Sequence, residues 1–224
     1  EKILTGTASE LAEIPCAGLA VMLVLNPNSV NPFEPVRDEM LMRAKVPMTK
    51  EEVRWVSVAR LGVQPGDTVW DIGAGTGAVT FELARKAMDG AVFAVERNAE
   101  AVELIAQNRQ KLGGFNVHIV PGHAPEVLAD LPKPDCVFVG GSGGNMRKII
   151  ETALMKNSKA RIVVNAIALE TLQETQRLFA EFGLQQIEIT QLSAARGKSI
   201  GCYTMMTANN PVFILSGKGD KYGE

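Results

Sequence analysis

Two carboxylates and three closely spaced glycines carry the most chemical information in this chain. The run Val69-Trp-Asp71-Ile-Gly73-Ala-Gly75-Thr76-Gly77 sets its glycines where a strand-like segment gives way to a helical one. Lacking Cβ atoms, they let the backbone turn sharply and approach a ligand at the carboxyl end of a strand. Gly73 to Ala78 also fit the permissive nicotinamide fingerprint G-x-G-x-x-G/A. Asp71 separates the two readings. A carboxylate just before the loop repels a pyrophosphate, but it suits the cationic methionine end of S-adenosylmethionine. A methyltransferase therefore ranks above a dehydrogenase, and a purely structural glycine turn ranks below both. Glu96 ends the next apolar run, Val92-Phe-Ala-Val-Glu96-Arg97, about twenty residues beyond the glycines, where an acid can accept both hydroxyls of a ribose. A helix-dipole role for Glu96 explains neither that spacing nor its place at a strand end.

Two further loops complete the pattern. Gly122-His123-Ala124-Pro125 follows the segment Asn116–Val120, and its amide and small side chains can flank an adenine ring. His123 reads there as a cofactor contact, not as a base, while His118 sits inside the strand with no visible partner. Asp135-Cys-Val-Phe-Val-Gly140-Gly-Ser142-Gly143-Gly144-Asn145-Met-Arg147 falls at the end of a fourth strand, which in this kind of fold faces the transferring methyl group. Many methyltransferases place an acid or Asn-Pro-Pro-Tyr there for an amine or hydroxyl nucleophile; here there are small residues and a hydroxyl. The glycines leave room for a bulky substrate and offer amides to its carboxylates at the next helix N-terminus.

The elements that must position these residues follow from periodicity. Thr49-Lys50-Glu51-Glu52 reads as a capping box opening a helix to about Leu61. Strand-like segments (Thr68–Asp71, Ala91–Glu96, Asn116–Val120, Asp135–Val139, Arg161–Asn165) alternate with helical ones (Ala78–Met88, Ala99–Leu112, Met146–Met155, Leu169–Phe182). This alternation predicts a Rossmann-like α/β fold with a mainly parallel, twisted sheet. Leu184–Ser193, Ile200–Ala208 and Pro211–Ser216 have no helix between them and predict a C-terminal antiparallel hairpin on one sheet edge. Arg196 and Lys198 fall in the glycine-containing turn before it. Residues 1–40 read as a linker or the remnant of an upstream domain, with a strand-like run Gly18–Leu25 and the turn-rich stretch Asn26–Pro35; residues 41–224 read as the catalytic domain.

Composition narrows the function. With 224 residues, 46% of them hydrophobic, the chain can bury one sizeable core. Its net charge of −2 and lack of a basic run argue against nucleic acid as a partner. Cys16, Cys136 and Cys202 lie far apart, which argues against disulfides or a metal site and for small core hydrophobes in a reducing compartment. The longest apolar run is far shorter than the roughly 20 residues of a membrane span, so the expected location is the cytoplasm with no membrane partner.

Residues 40–217 resemble the precorrin or cobalt-precorrin carbon-15 methyltransferases, which also decarboxylate the acetate on carbon 12. The resemblance rests on Val46-Pro-Met-Thr-Lys50-Glu-Glu-Val-Arg, Asp71-Ile-Gly-Ala-Gly-Thr-Gly77, Gly122-His-Ala-Pro-Glu126, Val137-Phe-Val-Gly-Gly-Ser-Gly-Gly144 and Asn210-Pro-Val-Phe-Ile-Leu-Ser-Gly217. It implies a tetrapyrrole substrate, S-adenosylmethionine as methyl donor and S-adenosylhomocysteine as product. Thr49, Asp71, Gly73, Gly75, Thr76, Gly77, Glu96, Arg97, Gly122, His123, Ala124 and Gly140 would hold the cofactor, although the family often has an acid where His123 stands. Lys50, Gly144, Asn145 and Arg147 would bind substrate, and Ser142, Gly143, Arg196 and Lys198 would serve catalysis. Arg43 and Lys45 are further cations able to pair with carboxylates. The family commonly forms homo-oligomers, often tetramers, and the start of this chain is similar to the junction of a fused enzyme whose upstream domain methylates carbon 5. Other methyltransferases acting on protein, RNA or small molecules, a nicotinamide dehydrogenase and a non-catalytic cofactor-binding module remain as rivals.

Overall fold

Apolar side chains alternate between the two faces of every central strand, and that period of two organises the larger part of the molecule. The computed structural model describes residues 3–15, 18–25 and 34–220, in two compact units, Glu1–Val30 and Asn31–Glu224. In the smaller unit a short helix, α1 (Ala8–Ala12), begins at Thr7, whose hydroxyl accepts from the Glu10 amide while the Glu10 carboxylate accepts from the Thr7 amide. Residues 18–25 form no strand, and Leu19, Val21 and Leu23 are exposed. The strand expected over Gly18–Leu25 is thus corrected: an extended run needs a neighbour to take up its backbone hydrogen bonds. Cys16 and residues 26–33 of the turn-rich stretch lie outside the described residues.

The larger unit runs α2 (Glu51–Leu61), β1 (Thr68–Ile72), α3 (Ala78–Lys86), β2 (Ala91–Glu96), α4 (Ala99–Leu112), β3 (Val117–Pro121), β4 (Cys136–Val139), α5 (Met146–Lys156), β5 (Arg161–Ala166), α6 (Leu169–Glu181), β6 (Gln185–Leu192), β7 (Ala195–Ile200), β8 (Tyr203–Ala208) and β9 (Val212–Lys218). Seven strands form one sheet in the order β3-β2-β1-β4-β5-β9-β6, with the first five parallel and β9 antiparallel to both neighbours. On one face Val69, Phe138 and Val163 pack with Leu61 of α2, Leu83 of α3 and Ile105 of α4. On the other, Trp70, Val137 and Ile162 pack with Ile149 of α5 and Phe179 of α6. Strand order reverses between β1 and β4, which opens a crevice at the carboxyl ends of those strands.

Several expectations are corrected in detail. The expected C-terminal antiparallel pair is present, with β9 and β6 completing that end of the sheet, while β7 and β8, between them in sequence, pair as a separate two-stranded ribbon. Arg196 and Lys198 lie within β7, not in a turn. The residue capping α2 is Lys50, with no side-chain bond, in place of Thr49. The capping box fails because Glu52 has a stronger partner, the Arg196 guanidinium, which donates to both its carboxylate oxygens at 2.7 Å. Cys136 is buried as expected, but Cys202 is exposed. His118 has a partner after all, stacking on Phe93 with centroids 4.8 Å apart.

Candidate active site

The crevice at the strand-order reversal is a cleft of about 840 Å³, of the size that holds a nucleoside cofactor together with part of a substrate. Its floor is the loop after β1. Gly73 and Ala74 donate backbone hydrogen bonds to the Val95 carbonyl, and Gly140 donates to the Ile72 carbonyl, so three strand ends converge on the glycines. Gly73 and Gly75 have φ of +74° and +58°. A Cβ on Gly73 would lie 2.7 Å from the Gly141 carbonyl oxygen, and one on Gly75 would lie 2.9 Å from that of Pro47. The conformation and the crowding both demand glycine at these two positions.

Asp71 is completely buried at the end of β1 and lines the cleft. Its Oδ2 accepts from the Thr80 hydroxyl at 2.5 Å, while Oδ1 has no partner. Burial pushes its carboxyl up to about 7; the Thr80 hydroxyl opposes that rise and the Glu96 charge adds to it. Glu96 closes the opposite side of the loop. Its Oε2 accepts from the Gly75 amide at 2.9 Å, and Oε1 accepts from the Arg97 and Asn98 amides, both at 2.8 Å. Glu96 therefore clamps two loops together, a duty the sequence did not reveal.

Other expected cofactor residues share the cleft: Thr49, Thr76, Arg97, Gly122, His123, Ala124 and Gly140 all line it. Gly77 does not; it lies against the Phe81 ring at the start of α3 and serves helix packing. Ser142, Gly143 and Lys50 reach the cleft. Gly144 and Asn145 stand outside it, with the Asn145 amide donating to the Ala124 carbonyl at 3.2 Å. Arg147 is turned to the exterior, paired with Glu181 and stacked over Phe182.

Arg196 is not a free cation. Besides Glu52 it donates to Asp38 at 2.9 Å, and Asp38 also receives a 2.7 Å bond from the fully buried Arg54. Arg54 in turn donates to the Thr49 and Val36 carbonyls. This lattice ties the β7–β8 ribbon to the segment 46–50 that covers the glycine loop. Arg43, Lys50 and Lys198, together with Arg196 and the acids Asp38 and Glu39, the first of which Arg196 and Arg54 partly neutralise, line a second cavity of about 380 Å³, which shares Lys50 and Asn209 with the main cleft. Lys45 is exposed and lines neither.

The sequence reading missed the far wall of the cleft: Asn165, Thr171 and Asn209. A signal for Asn165 was present, because Val163-Val164-Asn165 ends a buried strand on a polar residue, as Asp71 and Glu96 end theirs. No comparable pattern marks Thr171 or Asn209. Among the described residues five buried polar side-chain atoms lack a partner, and three of them, on Asp71, Thr76 and Asn165, belong to residues lining this cleft. Such orphans mark a site whose hydrogen bonds a ligand completes. An unpaired carboxylate oxygen for an ammonium group, a glycine cradle and a strand-end acid for a ribose fit S-adenosylmethionine.

Fold and site together define a Rossmann-like, S-adenosylmethionine-dependent methyltransferase. The model of the precorrin methyltransferase domain family matches residues 41–218, and the chain belongs to that family. It is 43% identical over 184 residues to a probable cobalt-precorrin-6B C(15)-methyltransferase (decarboxylating) of Pyrobaculum calidifontis, covering 81% of this chain and 94% of that one. A precorrin-6Y C5,15-methyltransferase from Geobacter metallireducens superposes with a TM-score of 0.78 at 36% identity, covering 82% of this chain and 96% of that one. A precorrin 8W decarboxylase from Methanobacterium thermoautotrophicum gives a TM-score of 0.76, also at 36% identity, covering 81% and 98%.

Proposed function

We propose that the chain methylates carbon 15 of a precorrin macrocycle and decarboxylates the acetate on carbon 12, leaving a methyl group there. The observation that carries this reading is the pairing of the cofactor cleft with an adjoining cavity in which Arg43, Lys50 and Lys198 gather. A substrate bearing several carboxylates needs such cations around the ring positions that do not react, where partial burial strengthens each pair.

When bound, S-adenosylmethionine supplies an electrophilic methyl group on a sulfonium. Asp71 would take the ammonium of its methionine end, Glu96 the ribose hydroxyls, and the Gly122–Ala124 loop with His123 the adenine. Thr49, Thr76, Arg97 and Gly140 would complete that shell. The nucleophile is a ring carbon of an electron-rich macrocycle, so alignment matters more than a base. The Gly140–Gly143 loop suits that task, with amides, the Ser142 hydroxyl and room for a wide, flat substrate. In decarboxylation the bond to the acetate carboxyl breaks, its electron pair passes into the conjugated ring, carbon dioxide leaves, and the residual carbon takes a proton from water. Lys50, Lys198 and Arg43 would hold the carboxylates that remain. Arg196 acts on the substrate indirectly, through the segment it anchors.

We also infer a cytoplasmic homo-oligomer, which light scattering on the purified chain tests. The experiment for the activity is mass spectrometry of cobalt-precorrin-6B incubated with the protein and S-adenosylmethionine. Methyl gain together with carbon dioxide loss supports the reading. Neither change, with S-adenosylhomocysteine still bound, moves the substrate to another class, such as protein, RNA or a different small molecule.

A further inference from the structure

The cleft has two chemically different halves. Around the glycine loop its lining is charged, with Lys50, Asp71, Glu96 and Arg97. From the end of β5 onward, among the described residues, the lining carries no charge: Asn165, Ile167, Thr171, Asn209, Asn210 and Val212 are amides, a hydroxyl and aliphatic groups. Val139 pairs with Val164, so Asn165 stands one strand across from Gly140, where the methyl-transfer loop begins. Its position is held from below. The Ser57 hydroxyl of α2 lies 2.9 Å from Asn165 Oδ1 and 2.7 Å from the Val53 carbonyl, its one proton shared between those two acceptors, and Asn165 Nδ2 is buried without a partner.

We propose that Asn165, oriented by Ser57, binds the acetate whose carboxyl group leaves as carbon dioxide, while Arg43, Lys50 and Lys198 at the neighbouring cavity bind the carboxylates that stay. This assignment rests on the decarboxylating activity proposed above. A carboxylate about to leave gives its charge to the ring in the transition state. A cation beside it stabilises the starting state more than the transition state and slows the loss. A neutral amide orients the same group through a hydrogen bond with a smaller ground-state penalty. The division explains why Arg43 and Lys198 lie at the neighbouring cavity and not on the wall that carries Asn165. It also supplies the acceptor that the Asn165 amide lacks.

The test follows methyl gain and carbon dioxide loss separately, in single turnovers of cobalt-precorrin-6B with S-adenosylmethionine. Asn165→Leu, nearly isosteric, removes the hydrogen bond that orients the acetate without adding a charge. We expect carbon dioxide loss to slow by about tenfold or more, methyl gain to fall less, and S-adenosylhomocysteine affinity by calorimetry to stay within about twofold of wild type. Ser57→Ala, which frees the amide to rotate, should slow carbon dioxide loss several-fold with the same affinity retained. If Asn165→Leu binds no S-adenosylhomocysteine, Asn165→Ala replaces it under the same expectation. Unchanged carbon dioxide loss, or a fall in both reactions by the same factor, overturns the assignment. A wild-type protein that performs neither reaction overturns the proposed function itself, and this inference with it.

Discussion

Burial without a counter-charge pushes the Asp71 carboxyl up to about 7, and that single fact gives the site a pH dependence. Because this folded-state value lies above the ordinary 3.8, the protonated group contributes stability to the unliganded fold below pH 3.8, and the contribution is lost as pH rises through about 7. Ligand binding runs the other way, since an ammonium group prefers the ionised carboxylate. Affinity for S-adenosylhomocysteine should therefore weaken as pH falls below about 7, and binding near neutrality should release protons, read by calorimetry in buffers of different ionisation enthalpy. Asp71→Asn should weaken binding at pH 8 by about tenfold or more and flatten that profile. A steep profile in the variant would exclude Asp71 as its source. Cys136 gives a second residue-scale test. Desolvation holds its thiol up to about 12, whereas Cys202 is exposed. Peptide mapping after alkylation of the native protein should find Cys202 labelled and Cys136 protected until unfolding.

At the scale of elements, the segment 46–50 reaches its place over the glycine loop through charges from three parts of the chain. Arg54 from α2 is buried against Asp38; Arg54→Ala leaves Asp38 only its bond to Arg196 and strips the Thr49 and Val36 carbonyls of a donor, and should cost about 1–3 kcal/mol of stability, measured by urea denaturation. Arg196 is a different case. Its side chain remains 38% exposed and its pairs with Glu52 and Asp38 are screened by solvent. Arg196→Ala should change stability little, yet lower S-adenosylhomocysteine affinity several-fold by loosening the covering segment. A large stability loss with intact affinity would place Arg196 in the fold alone. The same lattice explains why Thr49-Lys50-Glu51-Glu52 does not cap α2 as local rules suggest: a tertiary ion pair outbids a local backbone contact.

At the scale of the whole molecule, a ligand that binds only the folded state must raise its stability. S-adenosylhomocysteine at one hundred times its dissociation constant should add about 2.7 kcal/mol, which shifts the melting temperature upward by several degrees in a domain of this size. NAD at the same concentration should produce no shift; a shift with NAD alone would return the dehydrogenase reading. Strand and helix positions, the parallel sheet and the cofactor loop were legible in the sequence, because each follows from a short-range period or from residues adjacent in the chain. Asp71, Glu96 and the glycines carry their roles in their local pattern: a polar residue ending a buried strand, then residues that tolerate a tight turn. What the tertiary structure decided was long-range. It set β9 between β5 and β6, gave Arg196 to Glu52 across 144 residues of sequence, and turned Arg147 outward to Glu181. It also brought Asn165 and Asn209 to one wall of the cleft, and four cations with two acids to a neighbouring cavity. A charged side chain on a surface reads the same in sequence whether it faces water, an acid or a substrate. Only the folded neighbours choose among these, because pairing energies depend on distances that no local pattern encodes.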